Sequence, residues 1–365
     1  MKRSMICMGL VLAMILGGCS WMGGSYVSVT PHQVQLAGTQ TGSLTASEYT
    51  QLRSILAELT ETGAESAVIL VPEYDANAVE TDMENAIRFI TKILPVGAYA
   101  IDKVEYEIGT NAGQPAISVN ITYLHGRSEL RRIRQAEDME EVKVILQETL
   151  AACNDSVVIH VQNYSDVDLI QFVADYAAEY PNLIMEIPQV AIGAYPDQGI
   201  RRVLELKFTY QTSRDSLRSM QNQVQRVFAS ASLYVNQNDA EAKKYAQLFS
   251  FLMERLDYKL ETSITPTYSL LNHGVGDGRT FAIVYAAMCR NAGLDCRTVT
   301  GTKNGEAWYW NLICDEGQYY HVDLLVSKET GELVRLTDDE MVGYVWDYSA
   351  YPATDVRAEP VEPTE

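Results

Sequence analysis

Tyr268-Ser269-Leu270-Leu271-Asn272-His273-Gly274-Val275-Gly276-Asp277-Gly278-Arg279-Thr280-Phe281-Ala282 is the stretch from which the fold is read. An apolar helix pattern runs from it to Arg290, and Asn291-Ala292-Gly293-Leu294 closes that helix with glycine near the C-cap. Three strand-like segments follow, 295–301, 307–314 and 318–325. Upstream, Tyr245, Leu248, Phe249, Leu252 and Leu256 fall on one stripe of a helix expected over 239–256. The pattern predicts helices laid against a small antiparallel sheet. The run Gly274, Gly276, Gly278 has the spacing of a phosphate loop but lacks the Lys-Ser/Thr that clasps phosphate.

Composition narrows the rest. The chain has 365 residues, 47% hydrophobic and 21% charged, which excludes disordered and collagen-like classes and suggests two or three compact units. Lys and Arg number 28 against 48 Asp and Glu, a net charge of −20. Such a field repels phosphate backbones, and no basic patch offsets it, so nucleic acid is not an expected partner.

The N-terminus reads as an export and anchoring signal. Lys2 and Arg3 precede an apolar stretch from Met5 to Leu16, too short to span a bilayer comfortably. It ends in Leu16-Gly17-Gly18-Cys19, which resembles the bacterial lipobox. That resemblance implies a signal peptide over 1–18, a lipid on Cys19, and residence at the extracytoplasmic face of the cell membrane. Residues 19–42, rich in Gly, Ser and Thr, read as a tether. Cys153, Cys289, Cys296 and Cys314 then remain, with neither CxxC nor a zinc spacing among them, so no metal is expected.

The middle of the chain repeats itself. Ala67-Val68-Ile69-Leu70-Val71 matches Val157-Val158-Ile159-His160-Val161, and Tyr74 and Tyr164 follow. Helical stretches over 79–94 and 166–180 are closed by Pro95 and Pro181. Alternating strands come next, Ile117, Val119, Ile121, Tyr123 against Leu204, Leu206, Phe208, Tyr210. Arg127-Ser128-Glu129-Leu130 and Arg214-Asp215-Ser216-Leu217 are then expected to open a long helix each. Matched positions are offset by 86 to 90 residues. The expected architecture is α+β: a module over 43–130, a second over 131–235, a C-terminal domain over 236–350 and an acidic tail over 351–365. His125 and His160 lie in the modules without a neighbouring acid or thiol in sequence, so scaffolding or binding is expected of these modules.

The C-terminal blocks resemble the transglutaminase-like superfamily, papain-like cysteine transferases and proteases. Ala292-Gly293-Leu294, Val299-Thr300-Gly301, Trp310-Asn311 and Tyr319-Tyr320-His321-Val322-Asp323 match its motifs in order and spacing, over roughly 240–345. The resemblance implies a thiolate at a helix N-terminus, a His on the neighbouring strand and an Asp on the next to orient it. Laid on this chain, the nucleophile position is Gly278, or Gly276 in an alternative register, and the base position is Trp308. Asp323 keeps the orienting acid. Cys289 lies three turns down the helix, where a buried packing thiol is expected, and His321 is read as supporting Asp323. His273 is placed where it can approach the mouth of the cleft, while Ser269 and Thr280 have no paired base.

The expectation is therefore a cofactor-free lipoprotein with a degenerate catalytic set (Gly278, Trp308, Asp323). Its expected partners are the membrane, through the lipid, and a peptide, cell-wall or envelope-protein ligand. An active acyltransferase or peptidase of the same fold, using another residue, is the alternative. Cys296 and Cys314, at the start of one strand and the end of the next, are expected close enough to bridge, with two buried free thiols as the other outcome.

Overall fold

The computed structural model describes residues 44–254, 257–258 and 263–354. Leu256, the segments 1–18 and 19–42 with Cys19, and the tail beyond 354 lie outside the described residues. Among those described, no helix is long and apolar enough to cross a membrane.

The first module runs β1 (Leu44–Thr45), α1 (Tyr49–Thr62), β2 (Ser66–Leu70), α2 (Val79–Lys92), α3 (Pro95–Ala100), β3 (Ile101–Asn111), β4 (Gln114–Tyr123) and α4 (Arg127–Leu130). Its sheet has the order β1-β2-β4-β3, with β1 parallel to β2 and the other pairs antiparallel. Leu52, Leu56, Met83 and Ile90 from α1 and α2 meet Ile69, Ile117, Val119 and Ile121 in one core. The second module runs β5 (Arg134–Asp138), α5 (Met139–Ala151), β6 (Ser156–Asn163), α6 (Leu169–Glu179), β7 (Gln189–Tyr195) and β8 (Arg202–Thr209). Its sheet order, β5-β6-β8-β7, and its strand directions are those of the first.

Two expectations are corrected here. Arg127 opens one turn of helix and not a long one, because the chain goes at once into β5, the parallel edge strand of the next sheet. The helix opened by Arg214, α7 (Arg214–Tyr234), is long as expected, but its buried side, Leu217, Val224, Phe228 and Ala231, packs into the C-terminal core. The helix thus packs on both sides of the boundary expected at 235. Gln221 fixes it to the second module, its Nε2 donating to the carbonyls of Ala151 (3.0 Å) and Leu183 (2.7 Å).

The C-terminal domain continues with α8 (Glu241–Met253), β9 (Asp257–Tyr258), α9 (Pro266–His273), β10 (Val275–Gly276) and α10 (Gly278–Asn291). Then come β11 (Cys296–Lys303), β12 (Glu306–Asp315), β13 (Gln318–Val322), α11 (Leu324–Thr330) and β14 (Tyr344–Trp346). The sheet order is β13-β12-β11-β14, all antiparallel. Helix α10 is apolar nearly all round, and Phe281, Val284, Tyr285 and Met288 are buried. Burying an aromatic or aliphatic side chain of that size is worth about 1.5–3 kcal/mol, so α10 is the axis of the domain. Asn311 ties the sheet to it, donating from Nδ2 to the Ala282 carbonyl at 2.8 Å.

The other sheet face carries Val299, Trp310, Leu312, Tyr344 and Trp346, a second small core. Gly301 permits the close approach of β14: a Cβ there would lie 2.2 Å from the Val345 carbonyl oxygen and 2.7 Å from Trp310 Cη2. Tyr351 packs on this core and Thr354 is fully buried, its hydroxyl accepting from the Asp338 amide at 2.6 Å. The start of the expected tail thus belongs to the domain.

Candidate functional site

The site forms where the N-terminus of α10 meets the ends of the strands. Asp277 caps α10, its Oδ1 accepting from the Thr280 amide (2.8 Å) and hydroxyl (2.6 Å). Thr280 is thereby occupied as a cap partner. Gly278 is the first residue of the helix. A Cβ built on it would meet Leu325 Cδ1 at 3.5 Å, an ordinary contact. At Gly276 the same atom would lie 2.9 Å from Leu270 Cδ1, so a side chain there forces the neighbour to move. Of the two registers, Gly278 is the one with room for a side chain.

Leu325, the neighbour of that position, follows Asp323 by two residues in the chain. Asp323 follows β13 and caps α11, where a continuing strand to 325 was expected; Oδ1 accepts from the amides of Leu325 (3.0 Å) and Val326 (3.3 Å). Its Oδ2 accepts from Trp308 Nε1 at 2.7 Å, Tyr344 Oη at 2.6 Å and Lys303 Nζ at 3.2 Å. The carboxyl group is 2% exposed, so these donors replace its water. Trp308 therefore makes the hydrogen bond that an orienting acid makes to an imidazole. An indole N–H is a donor only, and cannot take up a proton.

Lys303 and Tyr344 carry a signal that the motif blocks lack. β11 brings Lys303 opposite Tyr344 on β14, and the ammonium lies 4.9 Å from the Trp308 ring centroid and 4.8 Å from that of Tyr344. Burial, reinforced by the hydrogen bond to Asp323, holds the Tyr344 hydroxyl protonated far above the usual phenol range.

His321 does not support Asp323. It is buried on the second core, where Nδ1 accepts from Trp310 Nε1 at 2.9 Å and Nε2 lies 2.8 Å from Asp338 Oδ1. Because the indole can only donate, Nδ1 must be bare and Nε2 must carry the proton, which is the neutral imidazole. Burial lowers its pKa, and Asp338 offsets this in part. His273 ends α9 with its ring edge-on to Tyr268 at 5.4 Å, in a hollow beside Val227 and Phe251 rather than at Gly278.

The cysteines also depart from expectation. Cys296 pairs with Ile313 and not with Cys314, so the two thiols leave opposite faces of the sheet. Side chains that leave opposite faces point apart, which is the geometry that disfavours the expected Cys296–Cys314 bridge. In the modules, His125 stacks flat on Tyr99 at 4.1 Å, and His160 is buried with Nε2 unpartnered.

Beside the helix start lies a cavity of ≈ 340 Å³ between the second module and the C-terminal domain. Met185, Ile187 and Ile264 give it apolar walls, while Glu186, Asp277 and Arg279 bring charge to it. Glu186 is buried and accepts from the amides of Gln211 (2.6 Å) and Thr212 (3.0 Å).

Comparisons with known proteins bear on this domain. A family model of the transglutaminase-like superfamily matches residues 229–324. A search of curated proteins finds no match. Among solved structures, the chain is similar to a TGase at 9% identity, covering 60% of this chain and 63% of that one, with a TM-score of 0.26. It is similar to a candidate cysteine protease from Cytophaga hutchinsonii at 13% identity, covering 43% and 70%, TM-score 0.25. A candidate protease from Parabacteroides distasonis aligns at 10% identity over 70% and 39%, TM-score 0.22. The chain thus spans under two thirds of the first of these structures. The matched segment runs from the end of α7 through Gly278 and Trp308 to Leu324, and this part of the chain is a transglutaminase-like superfamily domain.

Proposed function

We propose that the chain is a lipoprotein of the bacterial cell envelope, held on the extracytoplasmic face of the membrane through Cys19. In this reading its transglutaminase-like domain binds a peptide, cell-wall or envelope-protein ligand without turning it over. One observation carries the proposal: Trp308 Nε1 donates to Asp323 at 2.7 Å from the position that the superfamily resemblance gives to the general base. The orienting acid is kept and given a partner that has no basic nitrogen, while Gly278 offers no nucleophile. Recognition and bond-making use different residues, so a cleft can keep its ligand after losing its chemistry. The adjacent cavity supplies apolar wall and charge for such a ligand.

The purified protein is expected to show no acyl-transfer, amidase or peptidase turnover above background. Loss of a triad nucleophile costs about a millionfold in kcat, and here the base is replaced too. Titration with peptidoglycan-derived peptides, followed by Trp fluorescence, is expected to show saturable binding that Trp308→Ala alters. Measurable turnover overturns the degenerate reading. Cys19→Ala is expected to release the protein from the membrane fraction, because the two acyl chains on a lipidated Cys are enough for stable anchoring. A Cys19→Ala protein that stays on the membrane after a salt wash overturns the anchor.

A further inference from the structure

Cys289 and Cys296 face each other across the turn that joins helix to sheet. Cys289 is in the last turn of α10, and Cys296 is the first residue of β11. The turn is tight, with the amides of Ala292 (2.9 Å) and Leu294 (3.0 Å) bonded back to the Cys289 carbonyl. Both side chains are buried, at 0% and 1% exposure, in the same core. Their thiols are close neighbours, and the Tyr285 hydroxyl lies beside Cys289 as well. Tyr285 is itself anchored, donating to the Tyr245 carbonyl at 2.9 Å. Two weak donors are thus held in contact where apolar side chains would pack as well.

We infer that Cys289 and Cys296 form a disulfide when the chain folds in an oxidising compartment. The oxidant is a protein or small-molecule disulfide. One Cys thiolate attacks it and releases a thiol, and the second Cys displaces the mixed disulfide. The new S–S bond costs two thiol protons and two electrons, and the oxidant leaves as two thiols. Burial pushes the Cys289 thiol up, so it is a poor nucleophile once α10 is docked, and the exchange belongs to folding. Cys314 is excluded by its opposite face, and Cys153, at another edge of the same core, has Tyr210, Arg214 and Arg218 for neighbours instead. The bond ties down the end of α10 remote from Gly278. It therefore fixes the helix without touching the cleft. The inference takes from the proposed export only its source of oxidant.

Trypsin cleavage at Arg279, Arg290 and Arg297 puts the two cysteines in neighbouring peptides, 280–290 and 291–297. The full chain is purified from membranes, and a second sample of it is denatured, reduced and refolded with oxidised glutathione. Both are alkylated and digested without reduction. The expected result is 280–290 linked to 291–297 in both samples, with Cys314 alkylated. A linked pair in the refolded sample alone supports the disulfide and counts against export. Alkylated Cys289 and Cys296 in both samples, or a link to Cys314 instead, overturns it. Reduction is expected to lower Tm by about 5 °C, as for a short closed loop, and to leave Cys289→Ala/Cys296→Ala unchanged.

Discussion

The strand ends around Asp323 and the start of helix α10 are built in opposite ways. On the strand wall, Asp323 is buried and gathers Trp308, Tyr344, Lys303 and two amides. At the helix start, Gly278 presents no side chain, and the nearby acid, Asp277, is half-buried and within the fold only caps its own helix. Asp323 is structural, tying β14 and α11 to the sheet, whereas the helix start carries no comparable set of bonds.

That contrast predicts unequal costs for the two acids. Asp323→Ala strands a half-buried ammonium, a buried tyrosine hydroxyl and an indole N–H, and is expected to lose about 3 kcal/mol in denaturant unfolding. Asp277→Ala removes an N-cap and is expected to lose about 1 kcal/mol. Equal losses would break the comparison.

Glycines sharpen it further. Gly301→Ala drives a methyl into the Val345 carbonyl and is expected to cost about 3 kcal/mol, since backbone cannot step aside as a side chain can. Gly278→Ala meets a single methyl at contact distance and is expected to change stability by less than about 0.5 kcal/mol. A destabilised Gly278→Ala would mean that the helix start is as closely constrained as the sheet.

A smaller effect tests whether the two walls still face each other. In Gly278→Cys with Trp308→His, the helix N-terminus and an imidazolium held by Asp323 both depress the new thiol's pKa. Relative to Gly278→Cys alone, alkylation by iodoacetamide at pH 6 is expected to be about tenfold faster, the gain in thiolate being partly cancelled by lower nucleophilicity. Equal rates in a normally folded double variant would show that positions 278 and 308 do not meet.

How much of this was legible beforehand follows the range of the interactions. The axis helix α10 and strands β11 to β13 could be read because their apolar periods are local. The transglutaminase-like domain could be read because motif spacing carries it. Tyr344 could not, since β14 is three residues long and reaches Asp323 only through Gly301 and the pairing with β11. β5 was equally hidden: Arg134-Gln135-Ala136-Glu137-Asp138 buries Ala136 alone, and parallel pairing with β6 makes it a strand. The Cys296–Cys314 expectation failed by one residue of register, which in a sheet reverses the face.

His321 offers the smallest and most specific test of the strand wall. Its Nδ1 is pinned against the Trp310 N–H, so protonation would set donor against donor inside a closed core. Burial lowers its pKa below the ordinary value of 6.5, with Asp338 opposing. The unfolded chain therefore binds the proton more readily than the native one. The stability His321 gives is complete above the unfolded pKa and is lost as pH falls through it towards the lower native value. Tm measured from pH 7.5 down to 5 is expected to fall less steeply in His321→Gln than in the wild type, although the variant starts lower. Asp338→Asn removes the group that favours the charged form, so it should steepen the acid limb rather than flatten it. If His321→Gln and the wild type run parallel, the acid sensitivity belongs elsewhere, and His160, also buried with a lowered pKa, is the next group to replace.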